Sequence, residues 1–191
     1  MRFLPFFFVL ALMPVSFPRA ETKANPLIKP FTLTATNGKK WSLSEQKDAK
    51  AVAVVFLGTE CPVNNQYLPE LARLHQTYAA KGITFVGINS NVHDTPTRVR
   101  SHAEANSIPF PILKDTGNVV ADEFMAKRTP EAFLLSPRGE VLYRGRIDDQ
   151  IGIGFRRKTA ERRDLAEAIE ETLAGKAVSV AKTDAPGCLI A

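Results

Sequence analysis

The residues with the most chemistry to offer are two cysteines: Cys61 in FLGTECPVNNQYLPEL and Cys188 in DAPGCLIA. A thiolate attacks disulfides and peroxides, and a second thiol resolves the mixed disulfide or sulfenic acid that results. Two cysteines are too few for a disulfide scaffold in a chain this long. They make one staple, one redox pair, or a reactive thiol with a bystander. Cys61 follows an apolar run and precedes a helical pattern, so it falls at a strand-to-helix corner. Unpaired N–H groups and the positive end of the helix dipole meet there, and both favour a thiolate. Glu60 opposes this if its carboxylate stays close. The plain alternative is an inert buried thiol. Cys188 lies in an unpatterned tail behind a Pro186-Gly187 bend. A flexible tail could bring it to Cys61, in its own chain or in a partner, as a resolving cysteine. An incidental thiol or a static disulfide is the alternative.

The elements that must position these thiols are legible in the hydrophobic pattern. FTLTATNGKKWSL alternates apolar and polar residues around Asn37-Gly38, which predicts a hairpin. AVAVVFLG (Ala51–Gly58) and ITFVGIN (Ile83–Asn89) read as strands buried on both faces. Between them Leu68, Leu71, Leu74 and Tyr78 recur at helical spacing, predicting a helix from Pro62 to Ala80 with a kink at Pro69 and a stop at Gly82. A helix over Thr95–Asn106, a short strand at Phe110–Asp115 and a short helix at Asn118–Met125 follow. A hairpin over Glu131–Gly145 turns at Pro137-Arg138-Gly139, and a last helix runs from Thr159 to Ala174. Strand–helix–strand alternation requires parallel central strands with right-handed crossovers, and the later hairpin adds antiparallel ones. The fold class is therefore α/β, a three-layer α/β/α sandwich with a mixed central sheet and an N-terminal β-hairpin.

Residues 1–20, MRFLPFFFVLALMPVSFPRA, place Arg2 before an apolar run with no acid, which reads as a secretory signal peptide. Ala20 and Ala24 are candidate cleavage sites, and an uncleaved anchor is the alternative; the run is short for a span and carries Pro5 and Pro14. Either way the domain is expected to be exported, secreted or periplasmic, where disulfides persist. Residues 21–30 read as a loose arm, 31–175 as the domain and 176–191 as the tail. The net charge of +5 includes Arg2 and Arg19; from Glu21 onward 23 basic and 20 acidic side chains leave +3, which gives no case for nucleic acid. FRRKTAERR reads as a solvated loop and helix start, Asp148-Asp149 as a solvated acidic pair, and GIGFRR lacks the glycine spacing of a dinucleotide loop.

Strand, GTECP, long helix and later RTPEAFLL resemble the thioredoxin superfamily. There the nucleophilic cysteine opens the first long helix with a proline close behind, and a second proline follows eight residues after the cysteine, as Pro69 does. A Thr-Pro pair with cis proline faces the sulfur, as Thr129-Pro130 would, and leaves a backbone edge able to pair with an extended substrate. Through GINSN, FPILKD and YRGRIDD the likeness extends over Asn25 to Ile190. It is strongest to the redoxin group, the peroxiredoxin-like proteins of the alkyl hydroperoxide reductase/thiol-specific antioxidant family. The pattern also departs from its relatives. Thioredoxins carry a second cysteine where Asn64 stands, and copper-delivery relatives carry one at Asn65, so neither an in-helix dithiol nor that metal site forms. Peroxiredoxins have Pro and Thr/Ser where this chain has Val54 and Gly58; Thr59 is one residue out of register, and Arg128 precedes the position of their arginine.

The resemblance implies a thiol-dependent oxidoreductase with Cys61 as nucleophile and Cys188 as candidate resolving thiol. Thr59, Arg128, Thr129 and Pro130 would shape the substrate pocket. The substrate would be a peroxide or, as the alternative, a protein disulfide; an external thiol donor would resupply electrons. No bound cofactor is expected, since the sulfur carries the electrons, and no metal, since His75, His93 and His102 stand at no metal-ligand spacing from either cysteine. A non-catalytic partner-binding module with the same fold is the reading of another class.

Overall fold

The computed structural model describes residues 25–152 and 154–191, so the expected signal peptide lies outside the described residues. Among the described residues eleven strands and four α-helices follow in chain order. β1 (Thr32–Ala35) and β2 (Lys40–Ser42) form the expected hairpin. β3 (Ala51–Phe56), α1 (Pro62–Tyr78), β4 (Ile83–Asn89), α2 (Pro96–Ala105) and β5 (Ile112–Lys114) make two successive parallel crossovers. α3 (Val119–Phe124) leads to the short β6 (Arg128–Thr129), then β7 (Glu131–Leu135) and β8 (Val141–Gly145). β9 (Ile151–Gly152) and β10 (Phe155–Arg156) make a small hairpin before α4 (Asp164–Leu173), and β11 (Cys188–Leu189) closes the chain.

The main sheet runs β2-β1-β5-β4-β3-β7-β8. β3 is parallel to β4 and antiparallel to β7. Its place in the middle follows from its sequence, because every residue of AVAVVF is buried and a strand alternates faces. Ala51, Ala53 and Val55 meet Leu71 and Leu74 of α1 and Leu165 and Ile169 of α4. Val52, Val54 and Phe56 meet α3 and the N-terminal residues Ile28 and Phe31. Phe56, Phe124 and Phe133 pack edge to face on that second side, with centroids 5.1–5.7 Å apart. This is the mixed three-layer sandwich expected from the pattern.

Four expectations need correction. The described part of the arm is not loose: Ile28 N–H bonds Gly139 O at 2.9 Å, Val141 N–H bonds Pro26 O at 2.8 Å, and Ile28 is buried. The last helix begins at Asp164 rather than Thr159, because the Glu161 and Arg162 amides are taken by Asp149 Oδ1 at 2.8 and 3.0 Å. Asp148 and Asp149 are accordingly buried rather than solvated; Asp148 Oδ1 also accepts from Tyr67 Oη at 2.6 Å. Finally, the tail is structured. β11 pairs antiparallel with β6, matching Cys188 with Thr129 and Leu189 with Arg128.

Candidate active site

Cys61 is the N-cap of α1, in extended backbone, with Pro62 in the first turn. Proline suits that position because its missing N–H would have no helical partner. The sulfur takes the place of a capping oxygen: Asn64 N–H donates to Sγ at 3.4 Å. The Cys61 thiol donates to Thr129 O at 2.9 Å, and Thr129-Pro130 is a cis peptide. Cys61 is 4% exposed, whereas Cys188 is exposed, and both are free thiols.

The two sulfurs share one site. Burial raises the Cys61 pKa, but the neighbouring Cys188 thiol, the Asn64 amide, the Cys188 amide and the Thr129 side chain outweigh it and hold Cys61 below the ordinary thiol value. Its partner moves the other way. The hydrogen bond to Cys61, then burial, then the Cys61 charge push Cys188 up to about 11, with Arg128 opposing. The two thiols are thus drawn apart, Cys61 toward the thiolate and Cys188 toward the thiol.

The loop entering α1 is held from both sides. The Thr59 hydroxyl donates to Asp94 Oδ1, and Thr59 N–H reaches Asp94 Oδ2 at 3.2 Å. Asn65 Nδ2 donates to Thr59 O at 3.1 Å, and His102 Nε2 contacts Asn65 Oδ1 at 2.9 Å. Asp94 also accepts from Asn89 Nδ2 at 2.7 Å and Asn91 Nδ2 at 3.2 Å. Burial raises the Asp94 pKa, but these donors, the Thr59 hydroxyl first, bring it below the usual carboxylate value. Thr59 is therefore committed to Asp94. Gly58 stands where a peroxiredoxin carries Thr or Ser; a Cβ there would lie 2.7 Å from Asn91 Nδ2 and 3.0 Å from Thr129 Oγ1, so a side chain would require Asn91 to shift away from Asp94. Glu60 faces solvent, its side chain 73% exposed and paired with Arg98, so its charge is screened from the sulfur.

Arg128 does not turn to Cys61. Its Nη1 donates to Gly187 O at 2.6 Å, hooking the tail. Glu131, buried, clamps the turn ahead of the cis proline: it accepts from Lys127 N–H at 2.8 Å, Arg128 N–H at 3.3 Å and Arg144 Nη2 at 2.7 Å. A cavity of about 190 Å³ opens on the thiols, lined by Glu60, Cys61, Asn91, His93, Asp94, Thr129, Cys188, Leu189 and Ala191. Sequence reasoning missed Asn91, His93, Asp94 and Glu131. The available signal was the polar run SNVHD directly after a buried parallel strand, since sites of open α/β sheets gather beyond the strands' carboxyl ends. Among the described residues no three His, Cys, Asp or Glu side chains are grouped to hold a metal, and no helix is long and apolar enough to cross a membrane.

The sheet, the cis Thr-Pro pair facing a helix-capping cysteine and the layer order define a thioredoxin-like fold. The chain is a member of the AhpC/TSA family, which matches residues 25–144. A solved structure of a hypothetical protein from Sinorhizobium meliloti 1021 superposes with a TM-score of 0.80 at 31% identity, covering 89% of this chain and 94% of that one. The thiol-disulfide oxidoreductase ResA of Halalkalibacterium halodurans is 26% identical over 124 residues, 65% of this chain and 69% of its own length. A thiol:disulfide interchange protein of the thioredoxin family from Chlorobium tepidum TLS shares the fold, with a TM-score of 0.61 at 20% identity over 81% of this chain and 99% of that one.

Proposed function

We propose that this protein is an exported thiol-dependent oxidoreductase that cycles between a Cys61/Cys188 dithiol and an intrachain Cys61–Cys188 disulfide. The observation that carries this reading is that β11 seats Cys188 opposite Thr129, whose carbonyl accepts from the Cys61 thiol, so that both thiols line one cavity. Export rests on the basic-then-apolar pattern of residues 1–20. The substrate favoured is a disulfide. The Cys61 thiolate attacks one sulfur, forming a mixed disulfide and expelling the other as a thiolate, which takes up a proton. The Cys188 thiol, losing its proton, then attacks Cys61 Sγ and releases the second substrate thiol. One disulfide is reduced by two electrons and the protein pair is oxidised; an external dithiol reverses this by two exchanges. Support comes from the name of the ResA relative and from the glycine at position 58 and the engagement of Thr59 by Asp94, which leave the peroxiredoxin pattern incomplete.

Peroxide reduction is the second reading, favoured by the AhpC/TSA match. In it the Cys61 thiolate takes one oxygen to become a sulfenic acid while the peroxide leaves as alcohol or water. Cys188 then closes the same disulfide with loss of water. The deciding experiment follows thiol loss in the fully reduced protein with hydroxyethyl disulfide and with hydrogen peroxide, free cysteine alongside, and maps the product by mass spectrometry. A Cys61–Cys188 disulfide formed faster than free cysteine reacts is the expected result, and the faster oxidant identifies the substrate. Cys61→Ser should abolish turnover, and Cys188→Ser should stop the reaction at a Cys61 adduct. Full activity in Cys61→Ser, or a Cys61 no more reactive than free cysteine, would move the assignment to a partner-binding module.

A further inference from the structure

The tail that carries Cys188 is fastened on both sides of it. On the first side, Arg144 N–H bonds Ala181 O and Thr183 N–H bonds Arg144 O, each at 3.0 Å. The Thr183 hydroxyl accepts from Arg146 N–H at 3.0 Å and contacts Tyr143 Oη at 2.7 Å. Beyond Pro186, the pairing of β11 with β6 is extended by Ile190 N–H to Lys127 O at 2.9 Å and Val92 N–H to Ala191 O at 2.6 Å. Two glycines make this seating feasible. A Cβ on Gly145 would lie 2.1 Å from Thr183 Oγ1, and a Cβ on Gly187 would lie 2.2 Å from Thr129 O; both have positive φ. Only glycine occupies such backbone at no steric cost.

β11 is the partner strand of β6; it pairs Cys188 with Thr129, the residue whose carbonyl accepts from the Cys61 thiol, and its Cys188 and Leu189 line the cavity at Cys61. An extended polypeptide offering a disulfide to Cys61 by strand pairing needs the backbone groups that β11 already uses. What stays open is the cavity of about 190 Å³, part of whose wall is Cys188, Leu189 and Ala191 themselves. That is below the size of an ordinary small-molecule pocket.

We infer that the strand Gly187–Ala191 is a specificity-determining element: seated on β6, it confines Cys61 to small disulfides or hydroperoxides entering through this cavity, and excludes polypeptide disulfides until it lifts. The inference rests on the oxidoreductase reading above and names its substrate class. Asp184, Ala185 and Pro186 lie between the two fastenings, so the strand can lift while Thr183 stays bound to β8.

The test isolates the first exchange step at Cys61. In a Cys188→Ser reference protein, rates of Cys61 mixed-disulfide formation are measured with hydroxyethyl disulfide and with insulin, then again after adding Gly187→Val. The added valine should raise the insulin rate about tenfold or more and change the hydroxyethyl disulfide rate by less than about threefold. Arg128→Ala, which removes the hook on Gly187 without a clash, should move the same ratio in the same direction and carries the test if the valine variant misfolds. Amide exchange at Ile190 should quicken in both variants. Equal gains for both reagents, or no change in the ratio while Ile190 exchange quickens, would overturn the filter. If Cys61 of the reference protein reacts with neither reagent, the oxidoreductase reading falls, and the filter with it.

Discussion

Burial of Cys61 by itself opposes its ionisation, because a thiolate loses more hydration than a thiol. The opposing contacts are, largest first, the Cys188 thiol, the Asn64 amide one turn into α1, the Cys188 amide and the Thr129 side chain. Of these the Cys188 thiol contributes most, so Cys188→Ala removes the largest stabilising contact and leaves the burial penalty less opposed. The pH profile of Cys61 alkylation by iodoacetamide should then move to higher pH. An unchanged midpoint would place the control of Cys61 in α1 alone. At this level the sequence located one thiol and left the other's role open between a resolving cysteine, an incidental thiol and a static disulfide. Cys61 was legible because strand, cysteine, proline and helix are contiguous. The partnership of Cys188 depends on a contact 127 residues away in the chain, which no local pattern encodes.

The loop from Gly58 to Glu60 has no regular structure of its own, yet it sets where the sulfur stands. Asp94 holds it through the Thr59 side chain and amide, and Asn89 and Asn91 hold Asp94. Asp94→Asn removes a charge that several donors satisfy, and should lower the urea midpoint at pH 7 by the equivalent of about 1–3 kcal/mol. The sign with pH follows from the lowered folded-state pKa. Such a carboxylate stabilises above its unfolded pKa, about 3.9, and this is lost as pH falls through the folded value. The gap between wild type and Asp94→Asn should therefore shrink below about pH 4 in urea melts. A gap that persists at pH 2 would assign the effect to packing rather than charge. The elements around this loop were readable in the sequence: the α2 cap at Thr95, which accepts from Arg98 N–H at 3.2 Å, and the stop at Gly82, with φ of 94°, are local chemistry. The start of α4 was misplaced because Asp149 competes for the amides that a longer helix would use.

Across the whole molecule, a Cys61–Cys188 bond would close a loop over most of the domain. Loop closure of that length favours the oxidised protein by about 4–5 kcal/mol in the chain-entropy picture. The stabilised Cys61 thiolate favours the reduced protein, but each unit of pKa displacement is worth only about 1.4 kcal/mol. Closure wins, so the oxidised protein should unfold at higher urea than the reduced one. A lower midpoint for the oxidised form would mean a bond that is easily reduced and a protein that acts as an oxidant. The two fastenings of the tail, at Thr183 on β8 and at Cys188 on β6, hold Cys188 opposite Thr129, whose carbonyl accepts from the Cys61 thiol.

Periodicity, turn residues and caps lie within a few residues of one another, and they determined the layer order, the central place of Ala51–Phe56 and the position of Cys61 at the head of α1. The docking of residues 181–191, the burial of Asp94, Asp148 and Asp149, and the turn of Arg128 toward Gly187 rather than Cys61 were decided by tertiary contacts. Such contacts pair polar groups far apart in the chain. Burying a charge or seating a strand is favourable only once its partners are assembled around it, and that assembly leaves no periodic trace in the residues themselves.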